Sequence, residues 1–246
     1  MAAEDIKPYD PSRGKTEQVR DMFDSSAPAY DFMNRAMTMG IDRLWRRRAV
    51  KAVADTAPAH ILDVATGTGD LAITLAKRIP GCRVTGIDLS QGMIDRGSAK
   101  VEAAGLSGRV SLQVADCLAL PMPDNTFDCV TVAYGVRNFE HLREGYSEML
   151  RVLRPGGMLA VLELSTPTSP IAKPFYRFYT RQIIPRVGRM VSKDIRAYTY
   201  LPESIAAVAQ GEDMLDIARS AGFARASFRP MTFGTCTLYT AYKPQK

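Results

Sequence analysis

The sequence predicts an α/β protein with a doubly wound, mostly parallel sheet, and three observations carry that prediction. From His60 onward, short apolar runs alternate with helical patterns of about 10 to 15 residues. The first run leads straight into a tight glycine turn, "LDVATGTGD", Leu62 to Asp70. The chain has 246 residues, 46% of them apolar, which suffices for one large core. Strand, helix and strand in this order imply right-handed crossovers. Ligands of such sheets bind beyond the carboxyl ends of the strands, where the strand order reverses, so function is sought at strand ends.

Residues 16–57 read as helical in pieces, because apolar positions recur at helical spacing. Gly40 followed by Asp42 supplies a stop and then a cap, while Pro28 and Pro58 punctuate the segment. We expect residues 1–57 to form an N-terminal helical lid and 58–246 the sheet domain, with a helical insertion at about 168–208. "HILDVA" is strand one, "DLAITLAKRI" a helix stopped by Pro80 and Gly81, and "CRVTGID" strand two. The next helix opens at Ser90, an N-cap, and runs to Gly105. Strand three is Arg109 to Ala115, and "LPMPDNT" supplies turn residues before strand four, "FDCVTVAYG". A helix over about 141–153 precedes strand five, "GGMLAVLEL". After Leu164 comes a long aromatic and basic stretch, then a helix near 211–221 and an alternating tail that reads as a terminal hairpin.

The four cysteines and two histidines show no metal-ligand spacing, so no metal is expected, and free thiols point to a reducing compartment. The first residues are polar and no run reaches the roughly 18 apolar residues of a spanning helix, so a cytoplasmic location is expected. The net charge of +6 favours anionic surfaces. It is concentrated in "DRLWRRRAVK" and in Lys173, Arg177, Arg181, Arg186, Arg189, Lys193 and Arg196, against a single acid there, Asp194.

Gly67, Gly69 and Ala72 satisfy G-x-G-x-x-G/A, and Asp88 ends strand two close to 20 residues further on, the pattern of a dinucleotide site. The charges favour another ligand. A pyrophosphate needs the helix N-terminus to itself, yet Asp70 stands there and Asp63 precedes the turn. Acids around the loop suit an ammonium or sulfonium ligand; S-adenosylmethionine carries both and no phosphate. Asp88 is then placed to accept from both ribose hydroxyls, Asp116 and the backbone of Cys117 to meet the adenine, and Ala133 to face the methionine part. Asp70 as a simple helix cap and Asp116 as a turn residue are the plainer readings. Neither a [DNS]-P-P-[YFW] tetrapeptide after strand four nor a Pro-Cys nucleophile is present, so a nucleic-acid substrate is not expected.

"YDFMNRAMTMGIDRLWRR", "LDVATGTGD", "PDNTFDCVTVAYGVRNF", "RVLRPGGMLAVLELS", "YTYLPESI" and "MTFGTCTLYTAYK" together resemble the C-methyltransferases of ubiquinone and menaquinone biosynthesis, above all the demethylmenaquinone methyltransferases. The glycine turn and "LRPGG" are generic to class I S-adenosylmethionine-dependent methyltransferases; "YDFMN", "GVRNF" and "YTYLPESI" are specific. The resemblance runs from about Val19 to Lys243. It implies a Rossmann-like sheet of seven strands with the last antiparallel, S-adenosylmethionine as donor, a prenylated quinol as acceptor, and Thr68, Asp88, Asp116 and Cys117 as cofactor residues. Three departures stand out: Thr38 and Asp42 replace a frequent Ser-x-x-x-His, and Ala133 a common serine.

Moving a methyl from sulfonium to a ring carbon demands an electron-rich carbon, hence a reduced quinol. "GVRN" puts Arg137 and Asn138 just past strand four. A guanidinium is a poor base, so Arg137 is expected to stabilise the phenolate or orient a water, with Asn138 and Tyr30 fixing quinol or water. The plainer readings are an ion pair from Arg137 to Asp88 and core packing for Tyr30. The aromatic and basic residues between 170 and 200 suit either contact with anionic lipid at the inner face of the cell membrane or an ordinary amphipathic helix. A naphthoquinol or benzoquinol ring, a non-catalytic scaffold role, and the oligomeric state, a homodimer included, stay open.

Overall fold

In the computed structural model, which describes residues 3–183 and 195–245, seven strands form one sheet in the order β3-β2-β1-β4-β5-β7-β6. The strands are β1 (His60–Val64), β2 (Arg83–Asp88), β3 (Val110–Val114), β4 (Phe127–Ala133), β5 (Leu153–Leu164), β6 (Ala224–Met231) and β7 (Cys236–Tyr242). The pairs from β3 across to β5 are parallel, while β7 runs antiparallel to both β5 and β6. The order reverses between β1 and β4, which opens a crevice at their carboxyl ends.

The helices are α1 (Lys15–Ser26), α2 (Tyr30–Thr38), α3 (Asp42–Ala54), α4 (Asp70–Arg78), α5 (Gln91–Ala103), α6 (Leu142–Val152), α7 (Ala172–Phe178), α8 (Ile195–Ala207) and α9 (Glu212–Ser220). On one face of the sheet, Leu62, Val64, Val130 and Val161 bury against Tyr146 and Met149 of α6 and Met214 of α9. On the other, Ile61, Val84 and Cys129 bury against Val50 and Val53 of α3 and Leu71 and Leu75 of α4. Such paired periodicities, two along strands and near 3.6 along helices, make each element one-sided and force the layered packing. Within the segment read as a lid, α3 thus belongs to the helical layer of the sheet.

Ser90 caps α5, its hydroxyl accepting the Met93 N–H at 3.1 Å. Gly40, at φ +76°, ends α2. Asp42 is not a cap: it lies inside α3, 1% exposed, where it accepts the Thr38 hydroxyl at 2.8 Å and pairs with Arg46. Thr38 and Asp42, which both depart from the family pattern, therefore bond to each other. Of the aromatic and basic stretch, α7 carries no buried residue, and Ile184, Arg186, Arg189, Lys193 and Asp194 lie outside the described residues.

Candidate active site

The turn after β1 is held open by left-handed backbone at Ala65, Gly67 and Gly69, at φ +51°, +56° and +77°. Asp63, 1% exposed, fixes its base by accepting the Thr66 hydroxyl and, across the sheet, the Thr131 hydroxyl, both at 2.6 Å. Burial lifts the Asp63 pKa to about 6. Gly67 donates its N–H to Asp88 Oδ2 at 2.8 Å, and Ser90 donates to Oδ1 at 3.0 Å. Burial raises the Asp88 pKa as well. A side chain at Gly135 would bring its Cβ within 2.6 Å of Ala65 Cβ, so a glycine there lets the ends of β1 and β4 close on one another.

A narrow cleft follows these strand ends. Tyr30, Gly67, Asp88, Cys117, Ala133 and Asn138 line it together with Phe23, Leu89, Met93, Ala115 and Tyr134. Tyr30 lies over the turn, in an edge contact with Phe23 at 5.8 Å between ring centres. Asp63, Thr68, Gly69 and Asp116 are not on its wall. Asp116 Oδ1 accepts the Leu118 N–H at 2.8 Å and shapes the turn that presents Cys117.

The acid of the glycine turn is already answered by protein cations. Asp70 accepts Lys100 at 2.5 Å and Arg46 at 3.1 Å. Thr68 donates to Asp31 Oδ1 at 2.6 Å and accepts from Lys100 Nζ at 2.9 Å. Asp70 is therefore not an acid held open for an ammonium or sulfonium ligand: its charge is met by Lys100 of α5 and Arg46 of α3.

Beside the cleft lies a much larger cavity of about 700 Å³, bounded by α2, α3, α7, α8 and the β6–β7 turn. Its wall is mainly apolar, with Met37, Ile41, Trp45, Leu164, Leu201 and Ile205. Tyr30 and Tyr134 belong to both spaces, and Arg137 stands on the cavity side.

Arg137 is 7% exposed, and its partner is Glu163 of β5, not Asp88. Nη1 donates to Glu163 Oε1 at 2.9 Å and to the Tyr134 carbonyl, while Nε, also buried, has no partner among the described residues. Asn138 Oδ1 accepts the Tyr200 hydroxyl at 3.0 Å. The same segment is tied to the N-terminus. Buried Lys15 donates to the carbonyls of Arg137, Phe139 and Ala3, at 2.9, 3.3 and 2.6 Å, and burial lowers its pKa to about 8.

Glu163, Tyr200 and Lys15 are the polar residues the sequence reading missed. Glu163 had a visible signal, an acid inside the apolar run "GGMLAVLEL". His141 is exposed and makes no capping bond at the start of α6.

The model of the ubiE/COQ5 methyltransferase family matches residues 12–243. The chain belongs to the ubiE/COQ5 methyltransferase family. It is a methyltransferase by that membership. A relative in this family, the demethylmenaquinone methyltransferase of Bacteroides fragilis, is 48% identical over 240 residues, 98% of each chain. The ubiquinone/menaquinone biosynthesis C-methyltransferase UbiE of Geobacter sulfurreducens is 44% identical over 94% of this chain and 91% of its own. Among solved structures, the cyclase SpnF shares the fold with a TM-score of 0.68 at 20% identity, covering 94% of this chain and 97% of its own. A Haemonchus contortus phosphoethanolamine N-methyltransferase, solved with S-adenosylmethionine, shares it at 0.55 and 18% identity, over 76% of this chain and 49% of its own. Among the described residues of this family member, no helix is long and apolar enough to cross a membrane, and no group of three His, Cys, Asp or Glu could hold a metal ion.

Proposed function

We propose that this enzyme methylates a ring carbon of a prenylated quinol at the expense of S-adenosylmethionine, with demethylmenaquinol the first substrate to test. The observation that carries this reading is the meeting of two unlike spaces. A cleft at the ends of β1 and β4 and an apolar cavity of about 700 Å³ share Tyr30 and Tyr134, with Arg137 and Asn138 at the junction. A polar cofactor and a long apolar acceptor need such a pair. The Bacteroides fragilis relative bears the name of the naphthoquinol reaction, and the Geobacter name covers both quinones.

The cleft residues fit the cofactor. Each Asp88 oxygen takes one backbone N–H and keeps a further lone pair, enough for two ribose hydroxyls. Leu89, Met93, Ala115 and Cys117 give a flat base an apolar slot, and Ala133 leaves room for the methionine end. Asp63, Thr68, Gly69 and Asp116 shape the loops around them. When bound, S-adenosylmethionine supplies an electrophilic methyl group.

The protein's own contribution is electrostatic and positional. Arg137 is a fixed cation whose Glu163 partner holds one edge and leaves Nε free to stabilise a ring oxygen as phenolate. It stays protonated throughout, so the ring proton leaves through water held by Asn138 and Tyr30. The helices α1 and α2 serve as the lid of the cleft, and α7 with α8 covers the tail.

The composition of the cavity mouth supports entry of the acceptor from a lipid surface. Met39, Ile171, Phe175, Phe178 and Phe233 stand on its wall yet are 73, 77, 74, 62 and 80% exposed. Met39 and Phe233 also hold left-handed backbone, at φ +49° and +57°, a conformation that costs a side-chain-bearing residue about 1–2 kcal/mol. With exposed Lys173 and Arg177 on α7, this rim suits reversible contact with the anionic inner face of the membrane.

The test is incubation with labelled S-adenosylmethionine and, in parallel, reduced demethylmenaquinol and a reduced demethylated methoxy-benzoquinol, scoring methyl gain by mass. Transfer to the naphthoquinol is expected. Transfer to the benzoquinol alone reassigns the pathway. Cofactor binding without transfer to either overturns the reading in favour of a non-catalytic binding role, a divergence of function on one fold.

A further inference from the structure

We infer that Tyr200 is a positioning residue through which occupation of the apolar cavity sets the orientation of Asn138. The inference rests on the proposed acceptor and extends it. Tyr200 is 3% exposed and lines neither the cleft nor the cavity, so it touches neither ligand space. Its hydroxyl donates to Asn138 Oδ1 at 3.0 Å, a contact across 62 residues of sequence. With the amide oxygen engaged there, the NH₂ edge of Asn138 is the one left for the cleft.

The other end of the link is α8 itself. Leu201, next to Tyr200, and Ile205, one helical turn beyond it, form part of the cavity wall. Pro202 sits between them inside the helix, where it removes a backbone donor and weakens the turn that carries Tyr200. A helix softened at this point is held in place by what packs on it. A prenyl chain against Leu201 and Ile205 therefore adds to the seating of α8 and so of the Tyr200 hydroxyl. Binding energy from the non-reacting tail then appears in turnover, through Asn138, rather than only in KM.

Steady-state kinetics of the wild-type enzyme and Tyr200→Phe, on the prenylated quinol and on the same ring without its tail, test this link. The phenylalanine keeps the packing and deletes one hydrogen bond. In the wild type, removing the tail is expected to lower kcat. In Tyr200→Phe, kcat on the prenylated substrate is expected to fall roughly tenfold, to lose its dependence on the tail, and to leave KM and the affinity for S-adenosylmethionine within about twofold. A double-mutant cycle with Asn138→Ala adds a readout that general destabilisation would not move: Tyr200→Phe should cost nothing further once Asn138 is gone. A variant that keeps the wild-type tail dependence of kcat, or whose loss falls in KM alone, or whose effects add to those of Asn138→Ala, overturns the inference while the proposed function stands. Absence of methyl transfer by the wild type overturns both.

Discussion

Arg137 and Glu163 form an ion pair with almost no exposure, 7% and 1% for the two residues. Removing one partner of such a pair strands a buried charge and costs about 3–5 kcal/mol, whereas replacing both by apolar residues is often tolerated. Arg137→Ala is therefore expected to lose turnover and also to lower stability by an amount of that order in urea unfolding. Arg137→Met combined with Glu163→Leu should recover most of the stability and none of the activity. If the double variant were active, the assigned role of the guanidinium would fail. At Gly135, a single added methyl group would press on Ala65 and Val132, at 2.6 and 3.0 Å. Overpacking of this kind costs about 1–3 kcal/mol, so Gly135→Ala should shift the unfolding midpoint and widen the cleft floor, read as weaker cofactor binding by calorimetry.

Polar contacts tie α1 and α2 to the strand-end loops, beside the burial of Val19, Met22 and Met33. Asp24 of α1 accepts from the Ser90 hydroxyl and the Gly92 N–H, at 2.5 and 3.0 Å. Lys100 joins Asp31 of α2 to Asp70 of the glycine turn, at 2.9 and 2.5 Å. Lys100→Met should thus speed dissociation of S-adenosylhomocysteine, measured by stopped flow, and blunt the salt dependence of that rate. Helix α1 lacks a cap of its own at Gly14 and takes one from Glu140, whose carboxylate accepts the N–H groups of Lys15 and Thr16 at 2.9 and 3.0 Å. Those backbone bonds lower the Glu140 pKa from 4.5 to about 2. A carboxylate depressed on folding stabilises above its unfolded pKa and loses that contribution as pH falls through the folded one. The stability difference between wild type and Glu140→Gln should be constant above about pH 4.5 and vanish toward about pH 2 in urea titrations.

Across the whole molecule, the rim of Met39, Phe175, Phe178 and Phe233 gathers from the turn after α2, from α7 and from the β6–β7 turn, three regions distant in sequence. Replacing Phe175, Phe178 and Phe233 by serine is expected to reduce co-sedimentation with anionic liposomes. The same change should raise KM for quinol presented in vesicles and leave kcat on detergent-dispersed quinol within about twofold. Unchanged sedimentation would count against a membrane-facing mouth.

The strand order, with its reversal between β1 and β4, came from the structure. The sequence by itself determined the alternation of strands and helices and the placing of Gly67 and Asp88 at strand ends. These are local or periodic properties: apolar runs make strands, a left-handed turn needs glycine, and the fold then brings strand ends together. Tertiary structure alone decided what each charge faces. Asp70 reads as an open acid until Lys100, 30 residues later, and Arg46, 24 residues earlier, are seen to neutralise it. The partner of Arg137 is Glu163 from the next strand, and that of Asn138 is Tyr200 from the insertion. Electrostatic and hydrogen-bond energies depend on distances of a few ångströms through space, which only the packing of the layers sets.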